Sequence, residues 1–450
     1  MLDPESPAFN IAEYVDIRGP LDPRLFTQAL RRVVNETDAL RLRIPTRGEE
    51  TEPYLEDYSF WQPTVMDLRS EADPLVAAES WMRQDFTRPA HLDGEALFCY
   101  ALLQIAEEHF LWYVRYHHIA MDGFSGALVA KRVAEVYSGL VGQRQLVSSA
   151  FAPISELLEL EADYRGKQVH SDRKYWLGAM GDRPEAITLS GHAPGSSRSF
   201  IRHSSPFPDS LLHLLRESGR QSGASLAQVF ETAISLYLHR ITGADDVVLG
   251  IAVTGRVGRK MRSIPAMTSN ILPLRVKFSG NMSFADLLRQ VARRKAEMIR
   301  HQRYRREDLR TDLGLQPSDP DLFGAVVNVM SFDYDLRFGE CTSTTHNLSN
   351  GPVNDLSIIL YNRQDGSPSR LDFDGNPAHY ASQELAPHQQ RFLLLLGQLD
   401  SPGRQVSAFS LLSPEEERTV ISEFNDTERA FPESTISELV ENQVARTPSA

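Results

Sequence analysis

Seven consecutive residues carry the most suggestive chemistry in the chain: His117-His118-Ile119-Ala120-Met121-Asp122-Gly123. An imidazole exchanges protons near neutral pH. A carboxylate four residues on can brace the turn. Backbone N–H groups at a helix start can steady negative charge on a carbonyl oxygen. That set suits direct acyl transfer, in which a histidine takes or positions the proton of an attacking nucleophile, an effect of about 10²–10⁴-fold. No covalent nucleophile stands out beside it. Gly123-Phe124-Ser125-Gly126-Ala127 fails the Gly-x-Ser-x-Gly elbow at its last position. The chain has no P-loop, no Cys-x-x-Cys and no His-Glu-x-x-His helix.

The flanking residues say how the segment is held. Phe110 to Tyr116 is aromatic and β-branched and reads as a strand. The run from Gly123 to about Leu140 reads as a helix, so the segment sits where a rigid strand aims side chains into a turn. Strand alternation separates the two histidines. His118 shares a face with Phe110, Trp112, Val114 and Tyr116, and His117 shares the other with Leu111, Tyr113 and Arg115. The pair is therefore not expected to chelate one metal, and His118, nearer the turn, is the expected chemical one. Asp122 reads as a structural carboxylate needing a cation, with Arg41 and Arg43 as candidates. By itself the segment fits a core histidine in a satisfied turn equally well.

The rest of the chain alternates strands and helices. Residues 11–18 read as a strand. Asp22-Pro23 starts a helix, with Asp as cap and Pro in its first turn, and its apolar stripe is Phe26, Ala29, Leu30, Val33 and Val34. Leu40–Ile44 reads as a strand and Leu75–Phe86 as a helix. Leu97–Ile105 and His109–His118 form a hairpin. After a weakly patterned stretch at 141–153, taken as the lobe boundary, come a polar helical stretch (Ile154–Met180), helices over 211–219, 226–240, 284–300 and 383–399, and strands over 247–253, 271–278, 326–332 and 356–361. The expected organisation is two α/β lobes, 1–150 and 151–400. A connector over 401–450 ends in what looks like the first helix of another domain, as in a piece of a longer polypeptide.

The 450 residues exceed one ordinary core. A net charge of −13 without a dense basic stripe argues against a nucleic-acid partner. Arg300 to Arg306 is the one basic cluster and reads as a solvated helix end. Two cysteines, Cys99 and Cys341, fit a reducing compartment, and no run approaches the roughly 20 apolar residues of a membrane helix. A cytoplasmic protein without membrane partners is expected.

His117 to Gly123 matches the His-His-x-x-x-Asp-Gly motif of condensation domains of nonribosomal peptide synthetases, and further segments resemble that family in order. They are Asp38-Ala39-Leu40-Arg41-Leu42-Arg43-Ile44; Tyr164 with Asp172 to Leu177; Met267 to Arg275, which contains Asn270; His301 to Leu309; and Asn347 to Ser357, which contains Asn354. The wording is closest to the enterobactin synthase component F type, a siderophore-associated branch. Gln443-Val444-Ala445-Arg446-Thr447-Pro448 resembles the lead into an adenylation domain. The family's first motif, about twenty residues before Met1, has no counterpart here. Asp38, Leu42 and Ile44 replace its usual Glu, Thr and Phe.

The resemblance implies two chloramphenicol-acetyltransferase-like lobes in a V-shaped pseudo-dimer, with a tunnel between them. It implies amide formation: the amine of an acceptor aminoacyl thioester attacks a donor acyl thioester, each presented on the 4'-phosphopantetheine of an upstream or downstream carrier domain. No directly bound cofactor and no metal are expected. His118 is the expected catalytic residue. His117, Asp122, Gly123 and Arg41 are expected to hold the motif, with Arg41, which matches the family's arginine, favoured as the Asp122 partner. Ser125, Asn270, Asn354 and Ser357 are expected along the tunnel. The rivals are an epimerisation domain of the same fold, against which the adenylation-type tail argues, and a catalytically silent carrier-docking domain.

Overall fold

Alternating large apolar side chains build the first sheet. The strand His109–His117 pairs antiparallel with Phe98–Ala106 on one side and with Asn10–Arg18 on the other. Its even-numbered residues Phe110, Trp112 and Tyr116 belong to a core that includes Phe26, Tyr137 and Phe338, and the Phe26 and Trp112 rings meet edge to face at 5.5 Å, a favoured aromatic geometry. Leu111 and Tyr113 belong to a second core on the opposite face, with Ala78 and Met82 of the helix Pro74–Phe86. The period-two reading is thus borne out across the sheet. The helix Pro23–Glu36 starts at the expected cap, where Asp22 accepts from Arg24 N at 2.8 Å and Leu25 N at 3.2 Å, and it buries the expected stripe.

The computed structural model describes residues 6–45, 52–92, 95–143, 151–331, 335–363, 367–429 and 433–449. Two mixed sheets dominate. The first runs, in spatial order, Thr342–Asn350, Asn10–Arg18, His109–His117, Phe98–Ala106, Thr64–Asp67; the second runs Ile201–Pro206, Arg370–Gly375, Leu356–Tyr361, Ala325–Met330, Asp246–Val253, Asn270–Lys277. The first sheet therefore contains a strand from the second half of the chain. Thr342–Asn350 pairs antiparallel with Asn10–Arg18, Tyr14 opposite His346, and their rings stack at 4.7 Å.

Several elements differ from the sequence reading. Leu40–Ile44 is not one strand: Asp38–Arg41 is a helical turn and only Leu42–Arg43 is extended, pairing with Tyr54–Leu55. Ile154–Met180 is two helices, Ile154–Lys167 and Val169–Met180, broken at Gln168. The strand expected over 326–332 ends at Met330; Phe332 lies outside the described residues, as does most of the expected lobe boundary, 144–150. Thr342–Asn350 escaped detection because Thr-Ser-Thr-Thr-His-Asn-Leu-Ser-Asn carries almost no apolar alternation.

The chain forms two compact units, Met1–Phe409 and Ser410–Ala450. The first runs past residue 401, because Val406 N donates to Met282 O and Arg240 Nε to Phe409 O. The second contains the helix Ile436–Arg446, whose capping box joins Thr435 and Glu438. No helix among the described residues is long and apolar enough to cross a membrane.

Candidate active site

Strand His109–His117 ends at the first histidine, and helix Gly123–Val141 begins where expected. Asp122 caps that helix, its Oδ1 accepting from Ser125 N at 2.9 Å. The turn is pinned from the front as well: His118 N donates to Phe9 O at 2.8 Å.

The two imidazoles are committed differently. His117 is buried and its Nδ1 accepts from Ile119 N at 3.2 Å. An N–H can only donate, so the neutral ring carries its proton on Nε2. His118 is partly exposed, and its Nδ1 lies 3.0 Å from Met121 O. A carbonyl can only accept, so the proton sits on Nδ1 and the Nε2 lone pair stays bare. Burial depresses both pKa values. For His117 burial, then the neighbouring His118 and Arg115, push it down to about 4. For His118 burial outweighs the opposing charge of Asp122 and the bond to Met121. Both rings are neutral at working pH, and only His118 offers an unspent basic nitrogen.

Asp122 is fully spent. Beyond the cap, its Oδ2 accepts from Arg256 Nη1 at 2.8 Å and from the Thr268 and Ser269 backbone N–H groups, each at 3.0 Å. Burial would raise its pKa, but the Arg256 charge and these hydrogen bonds hold the carboxyl below its usual range. The cation is therefore Arg256, from the loop after strand Asp246–Val253, and neither Arg41 nor Arg43. Arg41, at the end of a helical turn, donates to Glu56 O and faces Asp38 at 3.7 Å. Arg43 pairs with Glu56 and Tyr58. Arg41 ends a helical turn and is not on the strand expected over Leu40–Ile44. Arg256 stands in Thr254-Gly255-Arg256-Val257-Gly258, where no periodic pattern marks it.

Ser125 also moves. It is completely buried, donating to Ala266 O at 2.8 Å and accepting from Ala266 N at 2.9 Å and Arg256 Nη2 at 2.7 Å. It is a member of the same bridge and does not line the tunnel. Its N–H is spent on the Asp122 cap, whereas Gly123 and Phe124, at the same helix start, line the cavity.

That cavity holds about 770 Å³, and His117, His118, Asp122 and Gly123 lie on its wall. Its apolar lining includes Ile11, Val114, Phe124, Met267, Val326 and Ile359, and Asn270 and Ser357 line it as expected. Asn270 is mostly committed: Nδ2 donates to Tyr304 O at 2.7 Å, and Oδ1 accepts from Ile271 N at 3.0 Å. Asn354 is not on the wall. It ties Asp321, Gly195 and Asn376 together behind it. The arginine cluster is no solvated helix end: Arg305 donates to Thr268 O and Ser269 O, Arg306 pairs with Asp321, and both line the cavity. Charge pattern alone could not separate a surface cluster from one folded back over a loop.

The comparisons with known proteins give the family and the fold. The condensation-domain family model matches residues 1–421. The chain is 40% identical to a dimodular nonribosomal peptide synthase of Bacillus subtilis (strain 168), over 99% of this chain and 19% of that protein. It is 29% identical to enterobactin synthase component F of Escherichia coli O157:H7, over 98% of this chain and 34% of that one. The chain thus spans about a fifth to a third of the length of these relatives. Among solved structures, a variant of the starter condensation domain of rhizomide synthetase RzmA in complex with C8-CoA superposes with a TM-score of 0.85 at 39% identity, covering 91% of this chain and 94% of that one. The first condensation domain of the calcium-dependent antibiotic synthetase gives 0.83 at 32%, covering 91% and 95%. The chain belongs to the condensation-domain family, the amide-bond-forming acyltransferases of nonribosomal peptide synthetases.

Proposed function

We propose that His118 works through Nε2 on the amine of a carrier-bound acceptor while a carrier-bound donor thioester meets it in the cavity. The observation that carries this is the His118 tautomer: Nδ1–H is tied to Met121 O, and the opposite nitrogen keeps its lone pair. An α-amine has a pKa of roughly 7.7–8.0, so a usable fraction is already neutral, and a thioester is already activated. His118 therefore positions the amine and takes its proton as the tetrahedral intermediate collapses, rather than serving as a strong base. Gly123 N–H is the helix-start group offered to the developing oxyanion. His117, Asp122 and Arg256 hold the turn.

The substrates follow the same reading: acyl and aminoacyl groups on 4'-phosphopantetheine, delivered by upstream and downstream carrier domains, with an adenylation domain continuing the chain in a cytoplasmic synthetase. The donor is an acyl group lacking an α-amine. The apolar wall around Ile11, Val114 and Phe124 supports this, and so does the likeness to a starter domain in complex with C8-CoA. A siderophore-type aryl acid such as 2,3-dihydroxybenzoate is the leading candidate. It rests on the motif wording and on the relatives enterobactin synthase component F and, at 26%, vanchrobactin synthetase VabF of Vibrio anguillarum. Incubation of the chain with a loaded acceptor carrier and either dihydroxybenzoyl- or octanoyl-carrier, with amide product read by mass, tests it. Preference for the aryl donor is expected. Preference for octanoyl would reassign the donor, and no amide from either would remove the reading.

A further inference from the structure

Strand Thr342–Asn350 belongs to the first sheet and Leu356–Tyr361 to the second. The five residues between them, Gly351-Pro352-Val353-Asn354-Asp355, cross from one sheet to the other directly beside His118. Gly351 has φ +99°. A Cβ built on it would lie 3.0 Å from His118 Cδ2 and 3.8 Å from Nε2, so this backbone rests on the ring edge that carries the bare nitrogen. The opposite side of the ring is fixed by the bond from Nδ1 to Met121 O. The imidazole is thus held between its own turn and the crossing segment.

The segment is anchored at both ends. In front, Gly351 N donates to Ser349 Oγ at 3.4 Å, and Ser349 Oγ donates to Asn10 O at 2.8 Å. Asn10 is the register partner of His117. Behind, Asn376 Nδ2 and Gly195 N both donate to Asn354 O at 3.0 Å, and Asn376 N donates to Asp355 O at 2.8 Å. The Asp355 carboxylate, 1% exposed, accepts from Tyr380 Oη at 3.0 Å and meets His379 Nδ1 at 3.4 Å.

We propose that the 351–355 crossing is a positioning element for the reaction: Gly351 sets the orientation of the His118 ring, and Asp355 acts as a positioning residue through Gly351 by fixing where the crossing enters the second sheet. The proposal rests on the reading that His118 serves the acceptor amine. An added methyl at Gly351 would sit 3.0 Å from Cδ2, closer than ordinary contact, and in a backbone conformation that side chains rarely adopt, so the ring is expected to give by a few tenths of an ångström about its bond to Met121. Of the crossing, only Gly351, Pro352 and Val353 lie on the cavity wall. The consequence falls on the chemical step rather than on binding.

The test uses the full chain with both loaded carriers. Gly351→Ala is expected to lower kcat at least tenfold, with KM for each carrier changed by less than about twofold. Asp355→Asn and Tyr380→Phe, which keep the Gly351 backbone free of strain, are expected to show the same split with losses of about five- and twofold. In a His118→Ala background, read by single-turnover product mass, Gly351→Ala and Asp355→Asn should cost no more than a further twofold. Losses that recur in that background, or a KM effect without a kcat effect, would overturn the proposal by showing that the crossing shapes the cavity and not the ring. A separate readout needs no turnover: the imidazole nitrogens of His118, followed by NMR after histidine labelling with ¹⁵N, should shift in Gly351→Ala and stay in place in a control such as Gly403→Ala, where a Cβ meets nothing. An unshifted ring removes this proposal whatever role His118 has, whereas a shifted ring with undiminished turnover removes the catalytic reading instead.

Discussion

His118 and Asp122 lie four residues apart in the turn between strand His109–His117 and helix Gly123–Val141 and are opposite in how their polar atoms are used. Asp122 accepts four hydrogen bonds, one of them charge-assisted from Arg256, and is 1% exposed. His118 spends one nitrogen on Met121 and turns the other toward a cavity. A saturated group can only hold; a half-saturated one can react. Two residues of one short motif are thereby sorted by counting their unspent lone pairs, which neither spacing nor residue type could have done.

The contrast breaks most directly at His118. His118→Ala should lower amide formation by about 10²–10⁴-fold, measured by product mass with loaded carriers, with the melting temperature nearly unchanged. His117→Ala should cost turnover far less, and equal losses from two folded variants would undo the distinction between the rings. Next comes the bridge. Asp122→Ala leaves the buried Arg256 guanidinium without its carboxylate, holding only Ser125 Oγ and the Thr254 and Ala266 carbonyls, and removing one partner of a buried pair costs about 3–5 kcal/mol, so denaturant unfolding should move far more than turnover per folded molecule. An Asp122→Ala protein of native stability without activity would instead make the carboxylate a catalytic group.

A smaller effect is the pH dependence that His117 contributes. The His117 pKa is held at about 4 against an ordinary 6.5, so the folded state binds fewer protons than the unfolded one. Its contribution is fully present above about pH 6.5 and is lost as pH falls toward about 4, a change of roughly 2–4 kcal/mol. His117→Gln should flatten that part of the stability profile. Smallest of all, Arg41→Ala should shift stability by about 0–1 kcal/mol, because its carboxylate partner, Asp38, is 3.7 Å away and the pair is partly solvated. A loss comparable to that of Arg256→Ala would restore Arg41 to the bridge.

Much of this was legible in residue order. The strand before the motif, the helix after it and the two faces of the first sheet follow from alternation at Phe110 to Tyr116, and the stripe of helix Pro23–Glu36 from 3.6-residue spacing. What stayed hidden depended on long-range pairing. Arg256 meets Asp122 across 134 positions, and no local pattern marks it. Ser125 looked like a tunnel residue because it follows the motif, yet Ala266, 141 positions away, closes around it. Arg305 and Arg306 looked solvated because they follow a helix, yet they fold back onto Thr268, Ser269 and Asp321. The polar strand Thr342–Asn350 has the composition of a loop and becomes a strand only because Asn10–Arg18 offers it an edge.

That borrowed strand bears on how such chains can be recombined. A hybrid that joins residues 1–150 of this chain to the second half of a relative would ask the sheet to accept a foreign edge, with Tyr14 facing whatever replaces His346. A fragment lacking the second half would leave the Asn10–Arg18 ladder bare, an open template for other chains. Grafting boundaries that keep Thr342–Asn350 together with Asn10–Arg18 should give soluble chimaeras, while a cut near residue 150 that mixes parents should favour aggregation. The unit of exchange is thus set by hydrogen-bonded neighbours and not by position along the chain.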